Sequence, residues 1–486
     1  MKKERNYNYD NFYDFEEFTA KIIKKFINRY KDELRLKFKG LNLERSCEKY
    51  LYYKINSSDS FYSFFIDIKK NKLKKNYTFE CYELQLLALE LKKIYKLKNI
   101  KIYYKKNYVK KFLFLITYSA FLLFSFLFTF RENNNKNIIS ILNHNKFKKE
   151  FEFLFNKIKI KIIYVQYARF IPLSALCLLK LNFKVYFKNI INQKKFFFMH
   201  GIYLRTYIYD SIISMNNPLF ILFYEGDAVD HEICSEIAKK KNIKSICLQW
   251  GSTLYNKPKS SFRNSGYSTL LAWGKNYADI FHKHNPNVNI EIIGTPHLKS
   301  YAYKKNKILF LLPQKSPQFI SNELEKFYKF IKWTSEKFPG KVIVRTHPQD
   351  SLKMTTKNLN YIQKVTIEDS KKISLAKSLS RSFLLITAGS SAIFEAANLG
   401  VIPLLYAESK RTIWNPNIQN LKKNYPIKLF EDKEIFKLRK TIITLESNKA
   451  LRKRISKKVA TNFKNEISFF GPPSIRKFNN YIKSII

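Results

Sequence analysis

The sequence contains few cysteines and no pairing of them that points to a metal site or a disulfide framework. Its five cysteines are scattered, odd in number and without a Cys-x-x-Cys pair, so neither zinc binding nor disulfide bonding is expected. Residues 1–18 also lack the apolar core of a signal peptide and carry acidic side chains. Both absences favour a protein of the reducing cytoplasm over an exported one.

Acidic residues are scarce as well. Asp and Glu number 38 against 89 Lys and Arg, which leaves a net charge of +51 and a surface that attracts anionic lipid or other polyanions. Because Lys, Asn, Ile and Phe are enriched together, as in an AT-rich genome, a solvated lysine surface is the simplest explanation and an anionic membrane the preferred partner. No zinc-finger spacing, basic zipper or RNA-binding signature accompanies the charge, so nucleic acid is not expected as a partner.

The chain nevertheless has the length and the apolar content for two domains and a further segment, with 486 residues of which 45% are hydrophobic. Residues 112–130 form an uncharged run bounded by basic residues. This run is long enough to span a bilayer, to lie in its interface or to form a buried helix. We predict a membrane-associated or transmembrane helix at 111–131, preceded at 1–110 by an αβ region whose role the sequence does not indicate.

Two series of short apolar runs follow, and each alternates with helical patterns. The first starts near residue 159 and the second at residue 307, with a linker at 294–307 between them. Strands that alternate with helices are typical of a parallel, doubly wound sheet. The prediction is an α/β fold with two Rossmann-type units facing a cleft, an N-terminal unit at 155–300 and a C-terminal unit at 307–486.

The strongest motif lies at residues 386–405, where an apolar strand ends at Thr387. Gly389 allows a ligand to approach the backbone closely. Ser390 and Ser391 then open a helix, whose free amides and hydroxyls can bind a phosphate without metal. Glu395, one turn deeper, could accept hydrogen bonds from a ribose. The serines could instead be simple helix caps with Glu395 as a capping-box partner, but Glu395 stands one place too late for that box.

A second motif, Arg345-Thr346-His347-Pro348, ends the strand run of the preceding αβ repeat. An imidazole at a strand end can stabilise the negative charge of a departing nucleotide or donate a proton to it. A lone histidine is more often structural, but the strand-end position favours function. Gln314 follows the first strand of the second series, in a loop that often borders the phosphates of a bound nucleotide.

These residues resemble a known enzyme class, and the likeness covers roughly residues 160–430. Six residues of the serine motif resemble the donor-nucleotide motif of GT-B glycosyltransferases: Ser390, Ser391, Glu395, Ala396, Gly400 and Pro403. His347-Pro348 resembles the His-Pro motif of bacterial sialyltransferases and of the glycerophosphotransferases that build teichoic acids. The resemblance implies a GT-B-like fold, serines that hold the leaving phosphate, a glutamate that binds the ribose and a histidine that contacts the donor phosphate.

The same resemblance identifies an acceptor side. Bacterial sialyltransferases have two acids before a glycine, and the second removes the acceptor proton; here only Glu225 matches, with Asp227 as a nearby substitute. A helix-capping carboxylate is the alternative explanation. The segment Gln249-Trp250-Gly251-Ser252 resembles the Gln-His-Gly of capsule-synthesis enzymes, but Trp250 replaces the histidine. A stacking or packing role for Trp250 is therefore preferred.

No metal or other cofactor is expected, because no Asp-x-Asp is convincing and the remaining histidines lack metal-ligand spacing. The predicted function is transfer of a sugar, with a CMP-linked nonulosonate of the sialic-acid type favoured, from a nucleotide donor to a surface-polysaccharide or lipid-linked glycan. The expected location is the inner face of the cell membrane. A non-hydrolysing UDP-sugar 2-epimerase is the alternative enzyme, although its Gly-Thr-Arg-Pro-Glu turn is missing, and a non-catalytic scaffold of a polysaccharide assembly complex is the third hypothesis.

Overall fold

The computed structural model describes residues 9–105, 137–142, 152, 154–155, 160–166, 198–224, 226–249, 262–296, 298, 300–312, 321–347, 352–388, 390–407 and 429–486. Within them the chain forms two six-stranded parallel sheets flanked by helices, which confirms the predicted α/β fold with two Rossmann-type units. The predicted membrane-associated helix at 111–131 lies outside these residues. Among those described, no helix combines the length and the apolar character needed to cross a bilayer.

The N-terminal region is a folded αβ assembly. Its helices are α1 (Tyr9–Arg29), α2 (Lys31–Leu34), α3 (Glu44–Asn56), α4 (Asp59–Lys69) and α5 (Tyr82–Ile94). Its strands are β1 (Lys37–Phe38), β2 (Leu41–Asn42), β3 (Asn76–Phe79) and β4 (Lys101–Tyr104). The first two strands pair antiparallel and the last two pair parallel, so this region has two small sheets of its own.

The first large sheet has the strand order β10-β9-β8-β7-β5-β6. Its strands are β5 (Asn137–Leu142), β6 (Lys161–Gln166), β7 (Phe220–Tyr224), β8 (Lys244–Leu248), β9 (Thr269–Ala272) and β10 (Asn289–Ile292), and its helices are α6 (Phe198–Asn216), α7 (Val229–Lys240) and α8 (Lys275–His284). The predicted series starts near residue 159 and therefore misses β5, a short apolar run in an Asn-rich stretch. Strand β5 is an internal strand, because β6 and β7 pair on its two sides.

The N-terminal region covers one face of this first sheet. Ile221 and Phe223 point into a core shared with helices α1 to α5, whereas Phe220 and Leu222 point to the opposite core, as the alternation of a strand requires. Lys49 of α3 and Glu232 of α7 form an ion pair of 3.5 Å between Nζ and Oε1, and both side chains are almost fully buried. The described N-terminal residues are therefore part of the first unit's core.

The second large sheet has the strand order β13-β12-β11-β14-β15-β16. Its strands are β11 (Lys307–Leu311), β12 (Val342–Arg345), β13 (Val365–Glu368), β14 (Ser382–Thr387), β15 (Ile402–Ala407) and β16 (Leu429–Glu431). Its helices are α9 (Ser321–Lys337), α10 (Leu352–Leu359), α11 (Leu375–Ser380), α12 (Ala392–Asn398), α13 (Ile435–Ser447) and α14 (Lys449–Asn462). The strand order reverses at β11, and the carboxyl ends of strands at such a reversal are where ligands bind in open α/β sheets.

The last part of the chain returns to the first sheet. The Ser468 amide donates to the Trp273 carbonyl at 2.9 Å, and the Thr295 amide donates to the Phe469 carbonyl at the same distance. Helix α15 (Pro472–Ile485) then buries Phe478 and Ile482 in the core that contains Phe220. The face of the first sheet opposite the N-terminal region is thus covered by a helix that follows the second sheet in sequence.

Gly294 makes this return possible, and its replacement is the first test of the fold. It has φ +80°, and a Cβ there would lie 2.0 Å from the Phe469 carbonyl oxygen. We expect Gly294→Ala to lower the free energy of unfolding by about 2–4 kcal/mol through backbone strain and overpacking. Gly340 has φ +71° with no atom within 4 Å, so Gly340→Ala should cost only about 1 kcal/mol. Urea unfolding measures both, and equal losses would refute the close approach.

Candidate functional site

Two predicted motifs follow strands that end level with each other in the second sheet. Leu311 of β11 pairs with Arg345 of β12 on one side and with Thr387 of β14 on the other. Because neighbouring strands lie about 4.8 Å apart, the ends of β12 and β14 are roughly 10 Å apart. His347 and Ser390 come two and three residues after these ends. The structure therefore brings both motifs to one edge, on either side of the strand at which the order reverses.

Arg345 is buried and held by its neighbours within the second unit. Its Nη1 donates to Ser378 Oγ and its Nη2 to the Ser370 carbonyl, both at 3.2 Å. Burial lowers the pKa of Arg345, and nearby carboxylates, among them Glu368 and Glu395, act in the opposite direction. The Glu395 carboxylate of the serine motif thus favours the charged form of the guanidinium in the histidine motif.

Glu368 at the end of β13 anchors this edge, and the sequence pattern did not single it out. Its carboxylate is buried, accepts a hydrogen bond from Ser378 Oγ and forms an ion pair with Arg381. The Thr346 amide donates to the Glu368 carbonyl at 3.1 Å, which fixes the backbone just before the partly buried His347. A carboxylate ending a strand at the same edge as His347 was the signal that could have revealed it.

The serine pair opens helix α12 in two different ways. The Ser390 amide donates to Thr387 Oγ1 at 3.3 Å, and Ser390 Oγ accepts from the Ala392 amide at 3.2 Å. Ser391 occupies the N-cap position but makes no capping bond with its side chain. Helix capping thus explains part of the role of Ser390 and leaves the hydroxyl of Ser391 outside the cap.

Helix α12 ends at the glycine that the motif predicted. The amides of Gly400 and Val401 donate to the carbonyls of Ala397 and Ala396, at 2.9 and 2.8 Å, and Gly400 has φ +67°. This is a Schellman ending, in which a left-handed glycine satisfies the last carbonyls of the helix. Gly400 therefore fixes the length of the helix that carries Glu395.

On the first sheet, Asp227 follows the end of β7, next to β5 where the strand order of that sheet reverses. Gly226 has φ +77°, and a Cβ there would lie 2.6 Å from Cys247 Sγ, so only glycine fits this turn. His231 Nδ1 accepts from the Ala228 amide at 3.3 Å at the start of α7. His231, one of the histidines without metal-ligand spacing, thus holds the turn that carries the partly buried Asp227.

Gln249 has a structural role in the described part of the site. Its side chain is buried, and Oε1 accepts from the Trp273 amide at 2.7 Å, which ties the end of β8 to the end of β9. Together with Tyr224, Leu248 and Pro296 these two residues line a small apolar pocket at the carboxyl edge of the first sheet. The pocket thus lies where β7, β8 and β9 end.

The other predicted site residues fall where the structure gives no description. These are Glu225, Trp250, Gly251, Ser252, Gln314, Pro348 and Gly389, and their roles stay predictions. Among the described residues, no group of three or more His, Cys, Asp or Glu side chains is arranged to hold a metal ion.

Comparisons with known proteins give similarities at low sequence identity. The UDP-GlcNAc 2-epimerase from Neisseria meningitidis bound to UDP-GlcNAc has a TM-score of 0.46 and 12% identity, over 71% of this chain and 100% of that one. The wall teichoic acid polymerase TagF has a TM-score of 0.45 and 13% identity, over 78% and 98%. Acinetobacter baumannii MurG has a TM-score of 0.39 and 10% identity, over 72% and 99%. No protein-family model matches the sequence, and no curated protein matches it.

The two serines offer a test of the local geometry. Ser390→Ala removes the acceptor of the Ala392 amide, so we expect a loss of about 1 kcal/mol in the free energy of unfolding. Ser391→Ala removes no capping bond and should leave stability unchanged. Urea unfolding of both variants measures the difference, and a larger loss for Ser391→Ala would contradict the described cap.

Proposed function

We propose that this chain is a metal-independent glycosyltransferase that moves a sugar from a nucleotide donor to a surface-polysaccharide or lipid-linked glycan acceptor. The observation that carries the proposal is the common edge on which His347 and the Ser390-Ser391 pair follow strands that flank β11. The unit of the second sheet would form the donor side and the unit of the first sheet the acceptor side. A CMP-linked nonulosonate is the preferred donor, because the pairing of His-Pro with Ser-Ser resembles that of sialyltransferases.

The donor side supplies groups that suit a departing nucleotide. Glycosyl transfer leaves negative charge on the phosphate, and hydrogen-bond donors fixed at that position stabilise it. In this proposal the His347 imidazole and the hydroxyls of Ser390 and Ser391 contact the phosphate, and Glu395 accepts hydrogen bonds from the ribose. In this proposal the positive charge of Arg345 stabilises the phosphate without touching it. Its guanidinium is already hydrogen-bonded to Ser378 Oγ and the Ser370 carbonyl.

The acceptor side must provide a base. The attacking hydroxyl loses its proton late in a reaction that passes through an oxocarbenium-like state, and a carboxylate is a suitable acceptor for it. We assign this role to Asp227 or Glu225 at the turn after β7. The close packing around Gly226 and the hydrogen bond from the Ala228 amide to His231 support a fixed backbone for this turn.

Nucleotide release from a panel of donors tests the proposed reaction. With a glycan acceptor present, we expect CMP release from a CMP-nonulosonate and a slower release, or none, of UDP from UDP-sugars. UDP release with acceptor would keep the transferase and change the donor. Conversion of UDP-GlcNAc without an acceptor would instead favour the epimerase, and no binding or turnover of any nucleotide would favour the scaffold.

The histidine provides the sharpest variant. His347→Ala should lower kcat by about 100- to 1000-fold, because it removes one group that stabilises the leaving phosphate. His282, which is exposed on α8, gives the control: His282→Ala should leave kcat and the unfolding transition unchanged. Unaltered kcat in His347→Ala, in a variant that folds normally, would remove His347 from the mechanism.

Two further variants separate the candidates for the base. Either Glu225→Gln or Asp227→Asn should lower kcat by about 100- to 10,000-fold while the Kd for the donor nucleotide stays unchanged, since a general base acts only in the reaction step. Calorimetric titration with the nucleotide measures the second quantity. If both variants keep full kcat, the base lies elsewhere.

A further inference from the structure

The outer face of α13 carries apolar side chains that the protein core does not use. Leu438, Ile442 and Leu445 of this helix are buried in the core of the second unit. On the other side Phe436 is 76% exposed, the highest value among the exposed large hydrophobic residues described, and Ile443 is 38% exposed. The Arg439 guanidinium lies 5.8 Å from the Phe436 ring and still leaves most of that ring in contact with solvent.

These apolar side chains are interleaved with lysines. Phe436, the exposed Lys440 and Ile443 stand at positions i, i+4 and i+7, so they form one stripe along the helix. Residues 435–462, which make up α13 and α14, contain nine basic residues and one acidic residue. That acidic residue, Glu446, is in an ion pair with Lys341. The carboxylates just before α13, Glu431, Asp432 and Glu434, are each in an ion pair with a lysine. The stripe therefore lies within a predominantly basic part of the surface.

We propose that the outer face of α13, continued by the exposed lysines at the start of α14, binds the surface of an anionic lipid bilayer. An aromatic ring and an aliphatic side chain flanked by lysines match the two parts of a membrane interface, because the apolar groups enter the acyl boundary and the lysines contact the headgroups. A nucleic acid or acidic glycan needs the charge but not an exposed Phe and Ile. Apolar and basic side chains together favour lipid over these polyanions.

The position of α13 gives this contact a consequence. The helix begins four residues after the end of β16, at the carboxyl edge of the second sheet, which is also the edge of His347 and Ser390. Lipid bound to the start of α13 would bring this edge close to the bilayer. A lipid-linked acceptor is presented at the bilayer surface, so the inference extends the proposed function. Vesicle binding itself needs no nucleotide and no turnover.

Co-sedimentation of the full chain with vesicles tests the proposal. We expect binding to phosphatidylcholine vesicles that contain phosphatidylglycerol and much weaker binding to phosphatidylcholine alone. Phe436→Ser should lower the partition coefficient by about 10-fold, as expected for partial burial of an aromatic side chain. Its control is Tyr361→Ser, since Tyr361 is 52% exposed on the second unit and should have no effect.

The charge is tested by a triple variant. Lys440→Gln, Lys449→Gln and Lys453→Gln together should lower binding by about 100-fold. Lys21, Lys24 and Lys25, exposed on α1, give a charge-matched control whose replacement by Gln should change binding little. All of these side chains are on the surface, so unfolding is not expected and circular dichroism checks it.

Several results would overturn the proposal. Unchanged vesicle binding of both the Phe436 and the Lys440 variants would show that the chain contacts lipid elsewhere, or not at all. A loss in the lysine variant alone, with equal loss of binding to heparin or DNA, would indicate a polyanion surface. A dimer that dissociates in Phe436→Ser would identify a second copy of the chain as the occupant. None of these outcomes alters the donor-release test of the proposed function.

Discussion

The reversal of strand order at β11 is the constraint on which the rest of the site depends. Parallel strands share one carboxyl edge, and a right-handed crossover places each following strand beside the previous one until the direction changes. At the change, β12 and β14 come to lie on either side of β11, although 36 residues of chain separate Arg345 from Ser382. A histidine and a serine pair that are distant in sequence therefore follow strands that flank the same strand of the sheet.

The buried polar groups around β12 and β13 then give that edge a fixed shape. Arg345 bonds to Ser378, Ser378 bonds to Glu368, and Glu368 pairs with Arg381. Burying a charged group costs free energy unless its polar atoms are hydrogen-bonded. In this network each side chain supplies hydrogen-bond or ion-pair partners for its neighbours. The Glu368 backbone also accepts a hydrogen bond from the Thr346 amide, just before His347. The buried network therefore also positions the backbone of the candidate site.

Sequence patterns predicted the two-sheet fold and the motif positions because these depend on local periodicity and on turn residues. Thr387, Gly400 and the strand ends belong to this class. Strand β5 was missed because a short apolar run beside a longer one carries little periodic signal. Glu368, His231 and Trp273 were missed for another reason: each acts through a partner far away in the chain, and a single sequence contains no record of that contact. The role of α3, whose Lys49 pairs with Glu232, was hidden in the same way.

The return of residues 465–485 to the first sheet has a consequence for how the chain is made. Phe220 and Leu222 are translated long before Phe478 and Ile482, which cover them in the finished molecule. While the second unit is being synthesised, the part of this sheet face that α15 covers consequently exposes aromatic and aliphatic side chains to the cell. Such surfaces recruit chaperones or aggregate. The first unit to leave the ribosome is thus among the last to reach its final structure.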